Sequence, residues 1–418
     1  MENNGRKKIF IIAGEASGDL LGSKIMNSLI NNDQNIKIDF VGIGGEKMEK
    51  EGLKPIFPMK ELSLMGFFEV LPKVFHILKR IKETVKEIIK QKPDVILTID
   101  SPDFCFKVME KLKSKNKQLF DNIKKVHLIA PSVWAYREKR ARRIAKLYDL
   151  LLCILPFEPP YFEKYGLKAE FIGHPIFDDE EKYKTNYNRG DLQKTYNISY
   201  DDIIIILTPG SRESEVERIY PIMIKTINIL KDRYNYQYKD YHIFTFSNNA
   251  TKDLVEFITH EHEFETKVIV DENEKQKIIS RANVVLAKSG TNTFEFNIAG
   301  LPLVITYTFN WFTNKLAKKI VKIKFANLVN IMANKEIIPE FVLDEADPSL
   351  IADQLDKLLR DRQLARKQVE ETREIIKTLG YNSPIKASQA GAKKILELIT
   401  ENKDNGDTDA SKNNKSTA

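Results

Sequence analysis

The chain of 418 residues is long enough for two or three domains. Its hydrophobic content of 42% and charged content of 30% are typical of a folded globular protein. The net charge of +7 favours an anionic partner, without choosing among nucleic acid, anionic lipid and a phosphorylated substrate. Because we find no apolar run near the roughly 18 residues of a membrane span and no secretory signal, we expect a cytoplasmic protein. Cys105 and Cys153 are too few for a disulfide framework or a zinc site.

The first part of the chain alternates short apolar runs with longer segments of helical periodicity, such as Leu20–Asn31 and Val74–Lys90. Short strands joined by helices predict a parallel sheet that is covered on both faces. The predicted strands are Lys8–Ala13, Lys37–Val41, Asp94–Ile99, Lys125–Ile129, Leu150–Leu155 and Ala169–Ile172.

A polar stretch, Asp178–Arg189, predicts a linker to a second set of strands. These strands are Ile203–Leu207, Tyr241–Phe246, Lys267–Val270, Asn283–Ala287 and Pro302–Thr306. The pattern from 349 to 399 is mostly helical, and the polar residues after it predict a disordered tail. We therefore expect an α/β protein with Rossmann-like domains at 1–180 and 181–400 and a tail at 401–418.

A glycine-containing turn, Gly14-Glu15-Ala16-Ser17-Gly18-Asp19, separates the first strand from a helix. Glycines let the backbone approach a ligand, and the helix N-terminus offers N–H groups to an anion. The spacing is neither that of a dinucleotide fingerprint nor that of a Walker loop. The alternative is a structural turn capped by Ser17 and Asp19.

Two carboxylates follow the third predicted strand, in Asp100-Ser101-Pro102-Asp103. In open α/β sheets, ligands bind beyond the carboxyl ends of the strands. A partly desolvated Asp100 would have a raised pKa and could act as a general base. The alternative for Asp100, and the favoured interpretation for Asp103, is a cap of the helix that begins near Pro102.

A turn with Ser132, Trp134 and Arg137 follows the fourth strand, and six basic side chains occur between Arg137 and Lys146. This cluster is compatible with nucleic-acid binding, but a solvated basic helix is the commoner arrangement. His174 lies at the predicted hinge, where an isolated histidine is usually structural.

Two small-residue turns in the second half are compatible with phosphate. In Gly210-Ser211-Arg212 the guanidinium could hold a diphosphate, although a capping box of Ser214 and Glu217 would also explain the sequence. In the segment 289–295, the Glu295 carboxylate could hold ribose hydroxyls or form a capping box with Asn292. Together the two turns predict a nucleotide site in this half.

Nine motifs share their order with one known family. They are AGEASGD at 13–19, ELSLMGFFEVL at 61–71, IDSPDF at 99–104, PSVWAYR at 131–137, LPFE at 155–158, IGHP at 172–175, PGSRESE at 209–215, SGTNTFE at 289–295 and NIMANKEIIPE at 330–340. Through them the chain resembles the lipid A disaccharide synthases. Ala130, Tyr136, Thr208 and Lys288 stand where that family more commonly has other residues.

The resemblance implies a GT-B fold, with two Rossmann-like domains whose parallel sheets face a central cleft, and a helical C-terminus. It implies transfer of 2,3-diacylglucosamine from its UDP derivative to 2,3-diacylglucosamine 1-phosphate (lipid X). The product would be the β-1′,6-linked disaccharide 1-phosphate, formed by a single inverting displacement with release of UDP. The first domain would hold the acceptor and meet the membrane, and the second would hold the donor.

The resemblance also assigns the site residues. The catalytic group comprises Asp100 as the base, with Glu15 and Asn330. The donor group comprises Gly210, Ser211, Arg212, Glu215, Ser289, Gly290, Thr291 and Glu295. The acceptor group comprises Gly14, Ser17, Ser132, Trp134, Arg137 and His174.

We expect neither a metal nor another cofactor, because we find no D-x-D pair at the end of a predicted strand. The pair Asp407-Thr408-Asp409 lies in the predicted tail. Arg212 and helix N-termini would stabilise the leaving diphosphate instead.

Because both substrates implied by the resemblance carry acyl chains, we expect an apolar segment followed by Lys79 and Lys82 to contact the anionic cytoplasmic face of the inner membrane. Its contact residues are Leu64, Met65, Phe67, Phe68, Leu71 and Phe75. The alternative is an ordinary core helix. We expect UDP-2,3-diacylglucosamine, lipid X and a second copy of the chain as partners, and no nucleic acid. The rival functions are another GT-B enzyme acting on UDP-N-acetylglucosamine and a non-catalytic basic protein that binds nucleotide or RNA.

Overall fold

The computed structural model describes residues 6–32, 36–63, 70–135, 138–184, 192, 195–233, 240–290, 293–308 and 324–400. The chain divides into two compact units. One comprises Met1–Asp178 and Pro384–Ala418, and the other comprises Asp179–Ser383. Each unit is built on one parallel sheet.

The first unit contains a seven-stranded sheet in the order β3-β2-β1-β4-β5-β6-β7. Its strands are β1 (Arg6–Ala13), β2 (Lys37–Ile43), β3 (Lys54–Pro55), β4 (Val95–Ile99), β5 (Lys124–Leu128), β6 (Leu150–Cys153) and β7 (Lys168–Phe171). All neighbouring strands are parallel. Along β1, Ile9 and Ile11 enter one core cluster, whereas Phe10 and Ile12 enter another. The alternation follows from the two-residue period of a strand whose sheet is covered on both faces.

Helices cover both faces of this sheet. They are α1 (Ala16–Asn32), α2 (Glu46–Lys50), α3 (Lys60–Ser63), α4 (Val70–Gln91), α5 (Pro102–Lys115), α6 (Lys117–Asn122), α7 (Arg140–Ile144) and α8 (Pro160–Glu163). Helix α4 packs Ile81, Val85 and Ile88 into the core, at the spacing of one helical face. Residues Pro175–Tyr183 form 3₁₀ turns where the sequence predicted a linker.

The second unit contains a six-stranded parallel sheet in the order β10-β9-β8-β11-β12-β13. Its strands are β8 (Ile203–Thr208), β9 (Tyr241–Phe246), β10 (Lys267–Ile269), β11 (Val284–Lys288), β12 (Leu303–Tyr307) and β13 (Glu340–Val342). Its helices are α9 (Glu213–Arg233), α10 (Lys252–Glu261), α11 (Glu272–Ile279), α12 (Thr293–Ala299), α13 (Leu328–Ala333), α14 (Pro348–Arg360) and α15 (Arg362–Lys377).

The last helix, α16 (Ala387–Thr400), belongs to the first unit, which corrects the predicted second domain of 181–400. Asp178 caps this helix, because its carboxylate accepts the N–H groups of Ala387 at 2.7 Å and Ser388 at 3.1 Å. Ile395 then packs into the same core cluster as Ile25. An amphipathic pattern shows that a helix covers a sheet, but not which sheet it covers.

The eleven predicted strands and the α/β class are confirmed. The sequence missed β3 and β13, which have two and three residues and lie at the edges of their sheets. Neither forms an apolar run that could be recognised. The predicted tail lies outside the described residues. Within the described part of the chain, no helix is both long and apolar enough to cross a membrane.

Candidate active site

The turns after β1 and β4 meet at the edge of the first sheet. The two strands are neighbours, with Ala13 opposite Ile99, so that Gly14 and Asp100 begin adjacent turns. A Cβ atom at Gly14 would lie only 2.4 Å from the Ser101 hydroxyl oxygen. A side chain at position 14 would therefore displace the Ser101 side chain, so glycine favours the close approach of the two turns.

Asp100 occupies a strained and partly buried position at this edge. Its φ of 49° and the φ of 44° at Ser101 place both residues in the left-handed region, which is costly for residues other than glycine. The Asp100 N–H donates to the Leu128 carbonyl at 3.0 Å, which ties the turn to β5. Burial raises the pKa of Asp100, although a hydrogen bond from the Ser101 backbone opposes this shift. This is the environment expected of a general base.

Asp103 has a different role from the predicted helix cap. Helix α5 begins at Pro102, and its N-cap residue is Ser101, which makes no side-chain capping bond. The Asp103 side chain is 80% exposed and lies 3.0 Å from the Arg140 guanidinium. Asp103 is thus a surface ion-pair partner.

Among the other polar residues of the β1 turn, Asp19 has a structural function. Its buried carboxylate accepts the N–H groups of Gly45 at 2.8 Å and Met48 at 3.1 Å, so it caps α2 rather than its own turn. Glu15 and Ser17 remain exposed at the same edge of the sheet. Their side chains are therefore accessible from solvent, whereas that of Asp19 is not.

A buried carboxylate links the turns after β5 and β6. Glu158 is 2% exposed and accepts the Trp134 indole N–H at 3.3 Å and the Leu155 N–H at 3.1 Å. Burial raises the pKa of Glu158 to about 7. The Trp134 ring also packs edge-on against Phe157. Glu158 thus holds Trp134 in place, a role that the LPFE motif alone does not indicate.

Ser132 is exposed beside Trp134, whereas Arg137 lies outside the described residues. The His174 side chain is buried, and its Nδ1 accepts the Ile176 N–H at 3.3 Å. Burial lowers the pKa of His174 to about 4. These features fit the structural interpretation of this histidine.

The basic segment is partly neutralised by the neighbouring helix. Arg140 pairs with Asp103, and Arg143 makes a two-pronged contact with Glu110. Helix α7 has only five residues, so it presents no long basic face. This arrangement gives little support to the nucleic-acid interpretation.

In the second unit, the turn after β8 is organised by Glu215. Gly210 has a φ of 137°, and a Cβ atom there would lie 2.7 Å from the Glu215 side chain, so glycine is required. The Glu215 carboxylate is 7% exposed and accepts the Ser211 N–H at 3.1 Å. Arg212 is 76% exposed, and its guanidinium lies 4.0 Å from Glu215. Its planar fork is thus accessible to a phosphate group.

The turn after β11 lies beside this one, because β8 and β11 are neighbouring strands with Thr208 opposite Ala287. The Ser289 hydroxyl donates to the Ala326 carbonyl at 2.8 Å, and the Thr293 hydroxyl donates to the Gly290 carbonyl at 2.8 Å. Thr291, which was predicted to contact the donor, lies outside the described residues. The two phosphate-compatible turns therefore share one sheet edge.

Glu295 lies in the first turn of α12 and is partly buried. The Tyr183 hydroxyl donates to its carboxylate at 3.3 Å. Burial raises the pKa of Glu295, and the nearby charge of Glu272 adds to the effect. A carboxylate in this position can accept hydroxyl groups of a ligand.

The Asn330 side chain forms hydrogen bonds with neighbouring residues of the second unit. It is fully buried, and its Oδ1 accepts the N–H groups of Ile337 at 2.8 Å and Ile338 at 2.9 Å. Its Nδ2 donates to the Glu340 carboxylate at 2.7 Å and to the Ile338 carbonyl at 2.6 Å. All four hydrogen-bonding positions of the Asn330 amide are therefore used within the protein.

Comparison with known proteins identifies the family. A family model described as lipid-A-disaccharide synthetase matches residues 9–394. The lipid-A-disaccharide synthase of Rickettsia bellii is 40% identical over 392 residues, covering 94% of this chain and 99% of the relative. The chain belongs to the lipid-A-disaccharide synthase family. The lipid-A-disaccharide synthase of Rhodospirillum centenum is 33% identical over 395 residues, covering 94% of this chain and 94% of the relative.

Solved structures show the fold. UDP-GlcNAc 2-epimerase from Neisseria meningitidis, bound to UDP-GlcNAc, has a TM-score of 0.59 at 13% identity and covers 95% of this chain and 100% of its own. The Methanocaldococcus jannaschii enzyme in complex with UDP-GlcNAc and UDP has a TM-score of 0.57 at 14% identity, covering 94% and 99%. The predicted GT-B class is therefore confirmed. The family makes this chain a glycosyltransferase of lipid A biosynthesis, with a UDP-sugar donor and a lipid acceptor.

Proposed function

We propose that the enzyme transfers 2,3-diacylglucosamine from UDP-2,3-diacylglucosamine to the 6-hydroxyl of lipid X. The products would be the β-1′,6-linked lipid A disaccharide 1-phosphate and UDP. Because the donor linkage is α and the product linkage is β, one displacement at the anomeric carbon accounts for the stereochemistry. The observation that supports this most directly is the partly desolvated Asp100 carboxylate at the end of β4, in a chain of this family.

Asp100 would act as the general base. The acceptor is a primary alcohol that does not ionise near neutral pH, so a base must take its proton as the new bond forms. A raised pKa brings a carboxylate closer to neutrality and makes it a stronger proton acceptor. The exposed Glu15 and Ser17 are beside it on the adjacent turn and would contact the acceptor.

The turns after β8 and β11 would hold the donor. The leaving diphosphate gains negative charge as the glycosidic bond breaks, and the Arg212 guanidinium can pair with it bidentately. Glu295 would accept ribose hydroxyls. Asn330 is a positioning residue in this scheme, because it holds Glu340, which in turn accepts the N–H groups of Ala326 and Asn327.

The acyl chains of both substrates require contact with a membrane surface, for which the exposed face of α4 is suited. Phe75 is 71% exposed and Leu78 is 42% exposed, and Lys79, Lys82 and Lys86 are exposed on the same helix. Apolar side chains beside lysines are typical of insertion into anionic lipid. Leu64, Met65, Phe67 and Phe68 lie outside the described residues, and only the backbone of Leu71 is described.

The membrane proposal is tested by the double substitution Phe75→Ser and Leu78→Ser. Each apolar side chain contributes about 1.5–3 kcal/mol when it is fully buried, so binding to anionic vesicles should weaken at least tenfold. Phe257→Ser is the matched control, because Phe257 is 62% exposed on α10 of the second unit. Unchanged vesicle sedimentation of the double variant would refute the assignment of this face.

The reaction is tested by following UDP release from UDP-2,3-diacylglucosamine with and without lipid X. We expect release only when the acceptor is present, together with a disaccharide 1-phosphate in the products. UDP-N-acetylglucosamine, which lacks the two long acyl chains, serves as the control donor. Its epimerisation or its faster turnover would instead support another UDP-sugar enzyme of this fold.

A further inference from the structure

Lys288 is the last residue of β11 and lies between the two turns of the second unit. Its Nζ atom is 3.0 Å from the Glu215 carboxylate, which organises the turn after β8. It is also 3.6 Å from the position of a Cβ atom built on Gly290, in the turn after β11. The ring centroid of Tyr307, on the neighbouring strand β12, lies 5.2 Å from the same ammonium. A cation is thus fixed at the edge of the sheet where both turns begin.

Glu215 connects this cation to the first of the two turns. One carboxylate oxygen accepts the Ser211 N–H at 3.1 Å, and the other faces the Lys288 ammonium. Arg212 lies 4.0 Å from the same carboxylate. Two cations therefore share one carboxylate, and the local charge of this group is positive.

We propose that the Lys288 ammonium is a second diphosphate-binding cation, beside Arg212, in the donor site. This inference rests on the proposed function, because it assumes that the donor diphosphate binds at these turns. An ammonium has three N–H donors, so Lys288 can keep its contact with Glu215 and still donate to phosphate oxygens. Its side chain is 21% exposed, so the ammonium is both held and accessible.

The two cations would contribute in different ways. Arg212 is largely exposed and offers a planar fork to two oxygens, whereas Lys288 offers a point charge in a partly buried place. Fixed charges act more strongly where water is excluded, and they need no rearrangement as the leaving group gains charge.

The experiment measures the affinities of UDP, UMP and uridine by calorimetry for the full-length protein and for Lys288→Met. Methionine retains most of the side-chain length but removes the charge. Hydrogen bonds to charged groups contribute about 1.5–3 kcal/mol, so UDP should bind at least about tenfold more weakly. The affinity for UMP should fall less, and the affinity for uridine should hardly change, because the missing cation acts on the phosphates. Lys288→Arg should recover part of the UDP affinity.

Lys394→Met is the matched control, because Lys394 forms a similar ion pair with Glu170 at 2.7 Å in the first unit. It should leave UDP affinity unchanged. Wild-type UDP affinity in Lys288→Met would overturn the proposal, and so would an equal loss for UDP and uridine, which would indicate a collapsed turn. Absence of UDP binding by the wild-type protein would instead contradict the proposed donor site itself.

Discussion

Asp100 and Glu158 of the first unit and Glu215 of the second unit all lie beyond the ends of strands, but their surroundings differ. In the first unit, burial raises the pKa of Asp100 and of Glu158, and no lysine or arginine is among the causes of either shift. In the second unit, the Glu215 carboxylate is also buried, but it lies 3.0 Å from the Lys288 ammonium and 4.0 Å from the Arg212 guanidinium.

The difference shows how one residue type serves opposite purposes. A buried carboxylate without a counter-ion is driven towards its neutral form, so it accepts a proton readily. A buried carboxylate that contacts cations can hold those cations in place for an anionic ligand. The first arrangement suits attack by a hydroxyl group, and the second suits departure of a diphosphate.

The largest expected effect comes from removing the proton acceptor of the first unit. Asp100→Asn is nearly isosteric but cannot take a proton, and general-base assistance is typically about 10²–10⁴-fold. We therefore expect kcat to fall by about that factor, while UDP affinity stays close to that of the wild type. The wild-type pH profile should also show an acid limb above the ordinary range of an aspartate, because the pKa of Asp100 is raised. Normal turnover with an unchanged pH profile would rule out this base.

The next largest effect should come from removing the positive charge of Arg212 in the second unit. Arg212→Ala should cost about 2–4 kcal/mol of transition-state stabilisation, the scale for one group that stabilises developing charge. Arg212→Lys should recover only part of this, because an ammonium lacks the bidentate fork. The ratio of kcat/KM values gives the cost directly. Since Arg212 is 76% exposed, its loss should leave the fold intact, and a variant with wild-type kcat/KM would end the assignment.

The sequence predicted most of the fold, because apolar runs and helical periods are local signals. Strands buried on both faces, such as β4 and β6, were recognised from their continuous apolar residues. The placement of α16 was not predictable in this way. It depends on the Asp178 cap, which joins residues 209 positions apart, and on the packing of Ile395 near Ile25, which are still further apart in the sequence.

For the candidate site, residues that directly follow strands were found, whereas residues that act through others were not. Asp100 and Arg212 lie at or shortly after strand ends, so the strand pattern predicted their positions, and the resemblance to the family predicted their roles. The proposed roles of Glu158 and Lys288 depend on their contacts with Trp134 and Glu215, respectively. No sequence pattern predicts these contacts. Asn330 was expected to be catalytic, but only the structure shows that its amide is saturated.

The Glu158–Trp134 contact gives a smaller, spectroscopic effect. The pKa of Glu158 is about 7 in the folded protein and lower in the unfolded chain, so the native state binds the extra proton between these values. The free energy of unfolding should therefore fall as the pH rises from about 4.5 to 7, and level off above that. The sequence contains two tryptophans, so Trp311→Phe leaves Trp134 as the reporter.

We expect the Trp134 emission to change with a midpoint near pH 7 in that background, because ionisation alters the partner of the indole N–H. Adding Glu158→Gln should abolish the transition while retaining an acceptor for the indole. Glu163→Gln is the control, since Glu163 lies nearby in α8 without a hydrogen bond to Trp134. A transition that persists in the Glu158→Gln variant would show that another group titrates.

The smallest effect should come from Asp103, the other carboxylate after β4, and it sharpens the contrast with Asp100. A helix cap would contribute about 0.5–2 kcal/mol, but Asp103 instead forms an exposed ion pair with Arg140. Such pairs contribute about 0–1 kcal/mol and weaken with salt. Asp103→Asn should therefore lower the urea midpoint slightly, less so at high salt, and leave turnover near that of the wild type. If Asp103→Asn abolished turnover while Asp100→Asn remained active, the exposed Asp103 would be the base, and burial without a counter-ion would not identify the proton acceptor.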